Sequence, residues 1–363
     1  MKSPMKPSLK SSMKPSMNLP ASLVPIADGI HGWIPQAPGT WGFANCVLIA
    51  SGEEAALVDT PYDGRMTRAL TAAASDVLPD GARIRTIINT HANGDHCYGN
   101  ALFPGAEIIS TQASLDHLCM EPTPEQMHHL THGVPADEPL GWYMRKHFGT
   151  FQYEGVELAP PTATFTGRHE IGIGDTPVHL IEVGPAHTVG DLIVHLPEQG
   201  VVCAGDVVFI GDHAVHWQGT LAQVVEACET ILRLDPQTIV PGHGPVVGQA
   251  EMREYVEYLR ELADRIHSGH ARGNSAQATA EELVTSGFHH HLGLGERLMI
   301  ATAAEYRHLE GDTSEPDLVA LAGRAATWAF RQHHADGADG SPRTPAATTA
   351  PTAPTAPTAP TAS

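Results

Sequence analysis

The residues best suited to chemistry lie in four short stretches of the chain. "INTHANGDHCYGN" (88–100) carries His91, Asn93, Asp95 and His96, "EVGPAHTVGD" carries His187, "GVVCAGD" ends on Asp206, and "IVPGHGP" carries His243. Imidazole and carboxylate are ligands for zinc, iron or manganese. A metal bound this way lowers the pKa of its water from 15.7 to about 7, which yields hydroxide for attack on a carbonyl or phosphoryl centre. Asp95 has two candidate roles, metal ligand and acceptor for the attacking water, and is the first choice as a catalytic residue. Asn93 stands where a further histidine would be expected. Its amide oxygen is a poorer zinc ligand than imidazole. Cys97, next to His96, reads as a small packing residue.

Each stretch follows an apolar run, so the candidate ligands stand in loops at the C-terminal ends of predicted strands, where a rigid sheet presents converging side chains. Strands are expected at 29–34, 45–50, 55–60, 83–90 and 106–111, then at 176–183, 191–196, 200–206 and 237–240. Helical patterns cover 63–75, a segment from about Gln112, and Leu221 to Leu234. "EMREYVEYLRELADRIH" (251–267) places Met252, Val256, Leu259, Leu262 and Ile266 on one face. Further helices are expected at 278–286, 295–310 and 315–331. The organisation read from this pattern is a basic leader (1–22), a layered α/β domain (23–248), a C-terminal helical extension (249–335) and a low-complexity Pro/Ala/Thr tail (336–363). The extension is a candidate appended subdomain or homo-oligomer interface.

Two segments are candidates for shaping a pocket. Residues 119–150 read as an irregular insertion with its own apolar cluster. "FIGDHAVHWQG" (209–219) leaves Asp206 directly, and its Phe209, His213, His216 and Trp217 are candidate substrate-binding residues. The tract "FHHHLG" reads as an exposed loop, because three adjacent histidines cannot all face one ion.

Composition narrows the partners. The 363 residues carry a formal charge of −20, and Lys and Arg cluster only in the leader, which argues against nucleic acid. No apolar stretch reaches the roughly 18 residues that a membrane span needs. Five cysteines imply reduced thiols rather than a disulfide framework, and the leader lacks the apolar core of a secretory signal, so a cytoplasmic location is expected. The expected partner is a small-molecule substrate.

The motifs resemble those of the metallo-β-lactamase superfamily over about residues 25–248. That family carries His-x-His-x-Asp-His followed by a His, an Asp and a final His; the matching positions here are His91, Asn93, Asp95, His96, His187, Asp206 and His243. "LVDTPYD" is similar to the family's early turn at Asp59 and Thr60, which supports the metal loops. The resemblance implies a four-layer αβ/βα sandwich, here with extra C-terminal helices. It also implies one metal site from His91, residue 93 and His187, and a second from Asp95, His96 and His243, with Asp206 bridging. Three occupancies remain open: both sites filled, the second site alone, or an iron centre on His91, His187 and Asp206, a two-His-one-carboxylate set. The implied activity is a zinc hydrolase, with one or two ions, acting on a small organic ester, thioester, lactone or amide. The alternatives are a mononuclear iron oxygenase of the sulfur-handling type and a non-catalytic metal-binding protein.

Overall fold

The computed structural model describes residues 19–35 and 37–338. The leader and the tail lie outside these residues except at their inner ends. The chain opens with an antiparallel meander, β1 (Val24–Ala27), β2 (Ile30–Trp33), β3 (Cys46–Ser51) and β4 (Glu54–Val58). Helix α1 (Gly64–Ser75) crosses over to β5 (Arg83–Ile88), and the short α2 (Gly94–Cys97) precedes β6 (Glu107–Thr111). Helices α3 (Gln112–His117), α4 (Pro124–His128) and α5 (Pro139–Phe148) follow before β7 (Ala163–Phe165). Strands β4 to β7 are parallel, so β1 to β7 form one sheet in chain order.

A second sheet repeats the plan. Strands β8 (Arg168–Ile173), β9 (Thr176–Glu182), β10 (Leu192–Leu196) and β11 (Val201–Phe209) are antiparallel. Helix α6 (Leu221–Arg233) then returns the chain to β12 (Thr238–His243), parallel to β11. The C-terminal helices are α7 (Gln249–Ala271), α8 (Ala276–Thr285), α9 (Arg297–Leu309) and α10 (Leu318–Ala338).

Apolar patterning fixes the layers. Val47, Ile49 and Ile88 of the first sheet share a core with Val178, Leu180 and Val194 of the second, which packs the sheets face to face. Truncating a fully buried residue such as Leu180 to Ala would cost about 2–5 kcal/mol. On the outer face of the first sheet, α1 buries Met66, Leu70 and Ala73. Asp63 starts that helix by accepting the Arg65 and Met66 backbone N–H groups, each at 2.9 Å. Strand β11 is buried along its whole length because it is covered on both faces. Outside the second sheet, α6, α7, α9 and α10 share one core through Ile231, Leu259, Ile300 and Ala325. The extension is therefore continuous with the sandwich through a common apolar core.

The structure departs from the sequence reading in three places. Strands β1, β7 and β8 were not foreseen: β1 is a four-residue run containing Pro25, and β7 and β8 are mostly exposed or half-buried and lack an apolar run. Strand β11 continues past Asp206 to Phe209. Segment 119–150 is largely helical rather than irregular: Thr123 and Gln126 form a capping box, and Pro124 and Pro139 open α4 and α5. Among the described residues, no helix is long and apolar enough to cross a membrane.

Candidate metal centre

The candidate ligands arrive from both sheets. His91 follows β5, and α2 presents Asp95 and His96. His187 lies in the turn between β9 and β10, and His243 is the last residue of β12. Asp206 is not at a strand end as expected, but inside β11 at an irregularity in its pairing with β12. The cause is Gly205, whose φ of +52° suits glycine and whose added Cβ would meet the Thr90 side chain at 2.7 Å. Opposite, a Cβ on Gly242 would overlap Asp206 Oδ1, so β12 passes the carboxylate as bare backbone.

The four histidines share one device. Each places Nδ1 against a fixed acceptor, which puts the ring proton there and leaves the Nε2 lone pair facing inward. His96 Nδ1 donates to Asp59 Oδ2 at 2.8 Å, His187 Nδ1 to the Val215 carbonyl at 2.7 Å, and His243 Nδ1 to the Phe43 carbonyl at 3.2 Å. Thr90 gives its hydroxyl proton to Asp59 at 2.8 Å and accepts from His91 Nδ1 at 3.0 Å. Asp59, at a φ of +62°, thereby anchors two ligands of the 88–100 loop. Asp191, unremarked in the sequence, fixes the turn that carries His187 by accepting from the Thr188 N–H and hydroxyl, both at 2.8 Å. Burial pushes its pKa up to about 7 despite those bonds.

All four Nε2 atoms face Asp206: His96 at 3.1 Å, His243 at 3.4 Å, His187 at 3.5 Å and His91 at 3.9 Å. His243 Nε2 also lies 3.3 Å from Asp95. Two groups have donor atoms within 4.8 Å of one another, His91 with His187 and Asp206, and Asp95 with His96 and His243. His91 Nε2, His96 Nε2 and Asp206 Oδ1 are buried without a hydrogen-bond partner. Burial costs such atoms about 1–3 kcal/mol each when they stay unpaired. Burial and neighbouring His96 keep His91 from charging, and burial does the same to His187. Burial opposes charge on His243 and His96 as well, yet Asp206 and Asp95 carry the His243 pKa up to about 9, and Asp206 and Asp59 raise that of His96. These two Nε2 atoms attract a proton beside Asp206, and a divalent cation bound there would displace it and take up the lone pairs. Inward lone pairs around a buried carboxylate fit a divalent cation.

Asn93 belongs to the same arrangement. Its Nδ2 donates to Glu121 Oε2 at 2.8 Å, which turns Oδ1 toward His187 Nε2, also 2.8 Å away. Since His187 carries its proton on Nδ1, two acceptors face each other at that distance, a repulsive contact that a shared cation relieves. Glu121 comes from the 119–150 segment and had no signal in the sequence beyond being a lone carboxylate. Burial pushes its pKa up to about 7, against the hydrogen bond from Asn93.

An apolar cavity opens over Asn93, Asp95 and Glu121. Trp41, Tyr62, Tyr98, Tyr143, Phe148 and Trp217 supply its aromatic wall, and Met127, Met144, Leu318 and Val319 complete it. Both the 119–150 segment and α10 therefore shape the cavity. Of the four candidate substrate-binding residues, Trp217 is on the wall. Phe209 lies beneath, its ring parallel to that of His243 with centroids 5.5 Å apart. His213 and His216 turn into the helical layer, His213 Nδ1 lying 3.0 Å from the Tyr258 hydroxyl and His216 Nε2 3.8 Å from Glu305. The buried Arg297 guanidinium stacks on Trp41 at 4.1 Å and Phe209 at 5.1 Å, joining the wall to the metal loops.

The family profile described as the Metallo-beta-lactamase superfamily matches residues 39–243, more than half of the chain. The chain belongs to this superfamily. It is 22% identical over 260 residues to the type 2 metallo-beta-lactamase of Bacteroides fragilis, covering 67% of this chain and 86% of that protein. Among solved structures it is similar to the inverting sec-alkylsulfatase Pisa1 from Pseudomonas sp., with a TM-score of 0.59 and 13% identity, over 80% of this chain and 50% of that one. The mono-zinc metallo-beta-lactamase FIM-1 from Pseudomonas aeruginosa matches at a TM-score of 0.49 and 20% identity, over 68% of this chain and 98% of the other. The superfamily assignment and the likeness to Pisa1 agree with the two sheets and their flanking helices.

Proposed function

We propose that this superfamily member is a metal-dependent hydrolase of small organic esters, thioesters, lactones or amides with an apolar body. One observation carries the reading: two adjacent ligand sets converge on Asp206, and one of them includes Asp95, which opens into the apolar cavity. His91, His187, Asp206 and the Asn93 oxygen would hold one zinc ion, and Asp95, His96, His243 and Asp206 a second. Bound zinc supplies hydroxide at neutral pH and a positive charge for the developing oxyanion. Asp95 accepts a proton from the attacking water. The aromatic wall binds the apolar body and excludes bulk water. Asp59, Thr90 and Asp191 hold the ligands in place.

The likeness to an alkylsulfatase raises sulfate esters as substrates. Among the described residues no Lys or Arg lines the cavity, which favours an uncharged scissile group over a sulfate. The iron reading uses only His91, His187 and Asp206; the intact Asp95–His96–His243 set beside them favours two zinc ions. Asp95, which lies in one ligand set and also lines the apolar cavity, favours a catalytic role over metal binding alone.

Metal analysis of the full chain by mass spectrometry, beside an Asn93→His variant, tests the reading. About two zinc ions per chain in both proteins, with turnover of aryl or alkyl ester and thioester panels, is the expected result. One zinc rising to two in the variant would confine the wild type to a mononuclear site. One iron with oxygen consumption would replace the hydrolase reading.

A further inference from the structure

We infer that Arg297, the first residue of α9, is a positioning residue of the metal centre. It holds Phe209 flat against His243, and so sets how tightly the Asp95–His96–His243 set binds its ion. This rests on that set being a metal site, as proposed above, and not on the reaction.

Arg297 is fully buried, yet its Nε has no hydrogen-bond partner. Among the described residues its one side-chain hydrogen bond runs from Nη1 to the His213 carbonyl at 3.1 Å. A buried charge is costly unless other groups replace its water. Here those groups are rings. The guanidinium carbon lies 4.1 Å from the Trp41 ring centre and 5.1 Å from that of Phe209. A flat, weakly hydrated guanidinium suits this position, and a compact ammonium does not.

Phe209 passes the constraint on. It pairs with His243 across β11 and β12, and the two rings are parallel to within 2°. His243 is the ligand most in need of such support. Its Nδ1 anchor is the longest of the four at 3.2 Å, against 3.0 Å for His91, 2.8 Å for His96 and 2.7 Å for His187. Phe209 also meets the His187 ring, but at a tilt of 57°, and His187 has the shortest anchor.

Local structure fixes Arg297 in place. Gly293 donates to the Gly211 carbonyl at 2.9 Å and accepts from the His213 N–H at 3.0 Å, which ties the turn before α9 to the loop after β11. Leu294 in that turn takes a φ of +54°, uncommon for a bulky residue. Such strain persists where the surrounding contacts over-determine it. The C-terminal extension thereby supplies part of the support of the metal centre.

Zinc titration of the full chain against a competing chelator, read as stepwise dissociation constants, tests this. Arg297→Met is expected to weaken one of two ions about tenfold or more, and the other by less than about threefold. Arg297→Lys, which keeps the charge without the flat face, should show the same loss. In a His243→Gln background, Arg297→Met should leave the remaining ion unchanged. Equal weakening of both ions, or wild-type affinity in either Arg297 variant, overturns the inference. Phe209→Leu should reproduce the selective loss, and unchanged affinity there overturns the inference even if the Arg297 variants do not fold. A wild type that binds a single ion refutes the two-ion reading by itself. The inference is then decided by whether Arg297→Met weakens that ion. Two bound zinc ions without turnover of any ester discards the hydrolase, and the same affinities still decide the role of Arg297.

Discussion

Two neighbourhoods of this molecule each bury several histidines, and the contrast between them explains what makes a candidate ligand. At the strand ends, His91, His96, His187 and His243 each spend Nδ1 on a fixed acceptor and turn Nε2 toward Asp206. In the helical layer, His147, His213 and His216 are equally inaccessible but meet no common carboxylate. His147 lies 3.5 Å from Glu296, His216 lies 3.8 Å from Glu305, and His213 contacts the Tyr258 hydroxyl. Burial lowers the pKa of these three to about 3, 3 and 4 in the order His147, His213, His216. Burial alone thus makes a neutral core histidine. Ligation needs a pinned proton on one nitrogen and convergence of the other.

The comparison breaks first at Asp206. Asp206→Asn removes the carboxylate that all four inward Nε2 atoms face, and is expected to empty the metal centre and lower kcat/KM roughly a thousandfold. Metal analysis with ester kinetics checks this, and retention of both metal and rate would refute the assignment. The helical-layer histidines predict a pH effect instead. His216 binds a proton below about 6.5 when unfolded but only below about 4 when folded, so its contribution to stability is present above pH 6.5 and lost as pH falls toward 4. The loss is on the order of 3 kcal/mol for this residue. Denaturant melts between pH 4 and 7 should show a shallower slope for His216→Leu than for the wild type, and identical slopes would sink the idea. The smallest effect sharpens the contrast. Asp59→Asn leaves every proposed ligand in place but loosens the His96 and His91 anchors, and should weaken zinc affinity about 10- to 100-fold, as a chelator competition would measure.

His91, Asp95, His96, His187, Asp206 and His243 were marked by glycine-rich turns after apolar runs, because a strand end followed by a tight turn is a local pattern. A layered α/β domain followed from the interleaved strand and helix patterns, and its four layers from the family resemblance. The helices of 119–150 were signalled by "TPEQ" at Thr123, although the surrounding histidines and prolines obscured the periodicity. His213 and His216 were misleading because nearness in sequence to Asp206 says nothing about direction once Gly205 bends β11 and the chain turns under α7 and α9.

The sequence by itself carried the motifs on which the resemblance to the superfamily rests, and through that resemblance the sandwich and the candidate metal ligands, since each motif is a short run of residues after an apolar stretch. Only the tertiary structure decided how Asn93 is used. Its amide is turned by Glu121, a residue 28 positions away on a different segment, so that its oxygen meets the His187 lone pair. The cavity was decided the same way: Trp41, Phe148, Trp217 and Leu318 become one wall because apolar surface from four distant segments is buried together. No local pattern encodes that meeting.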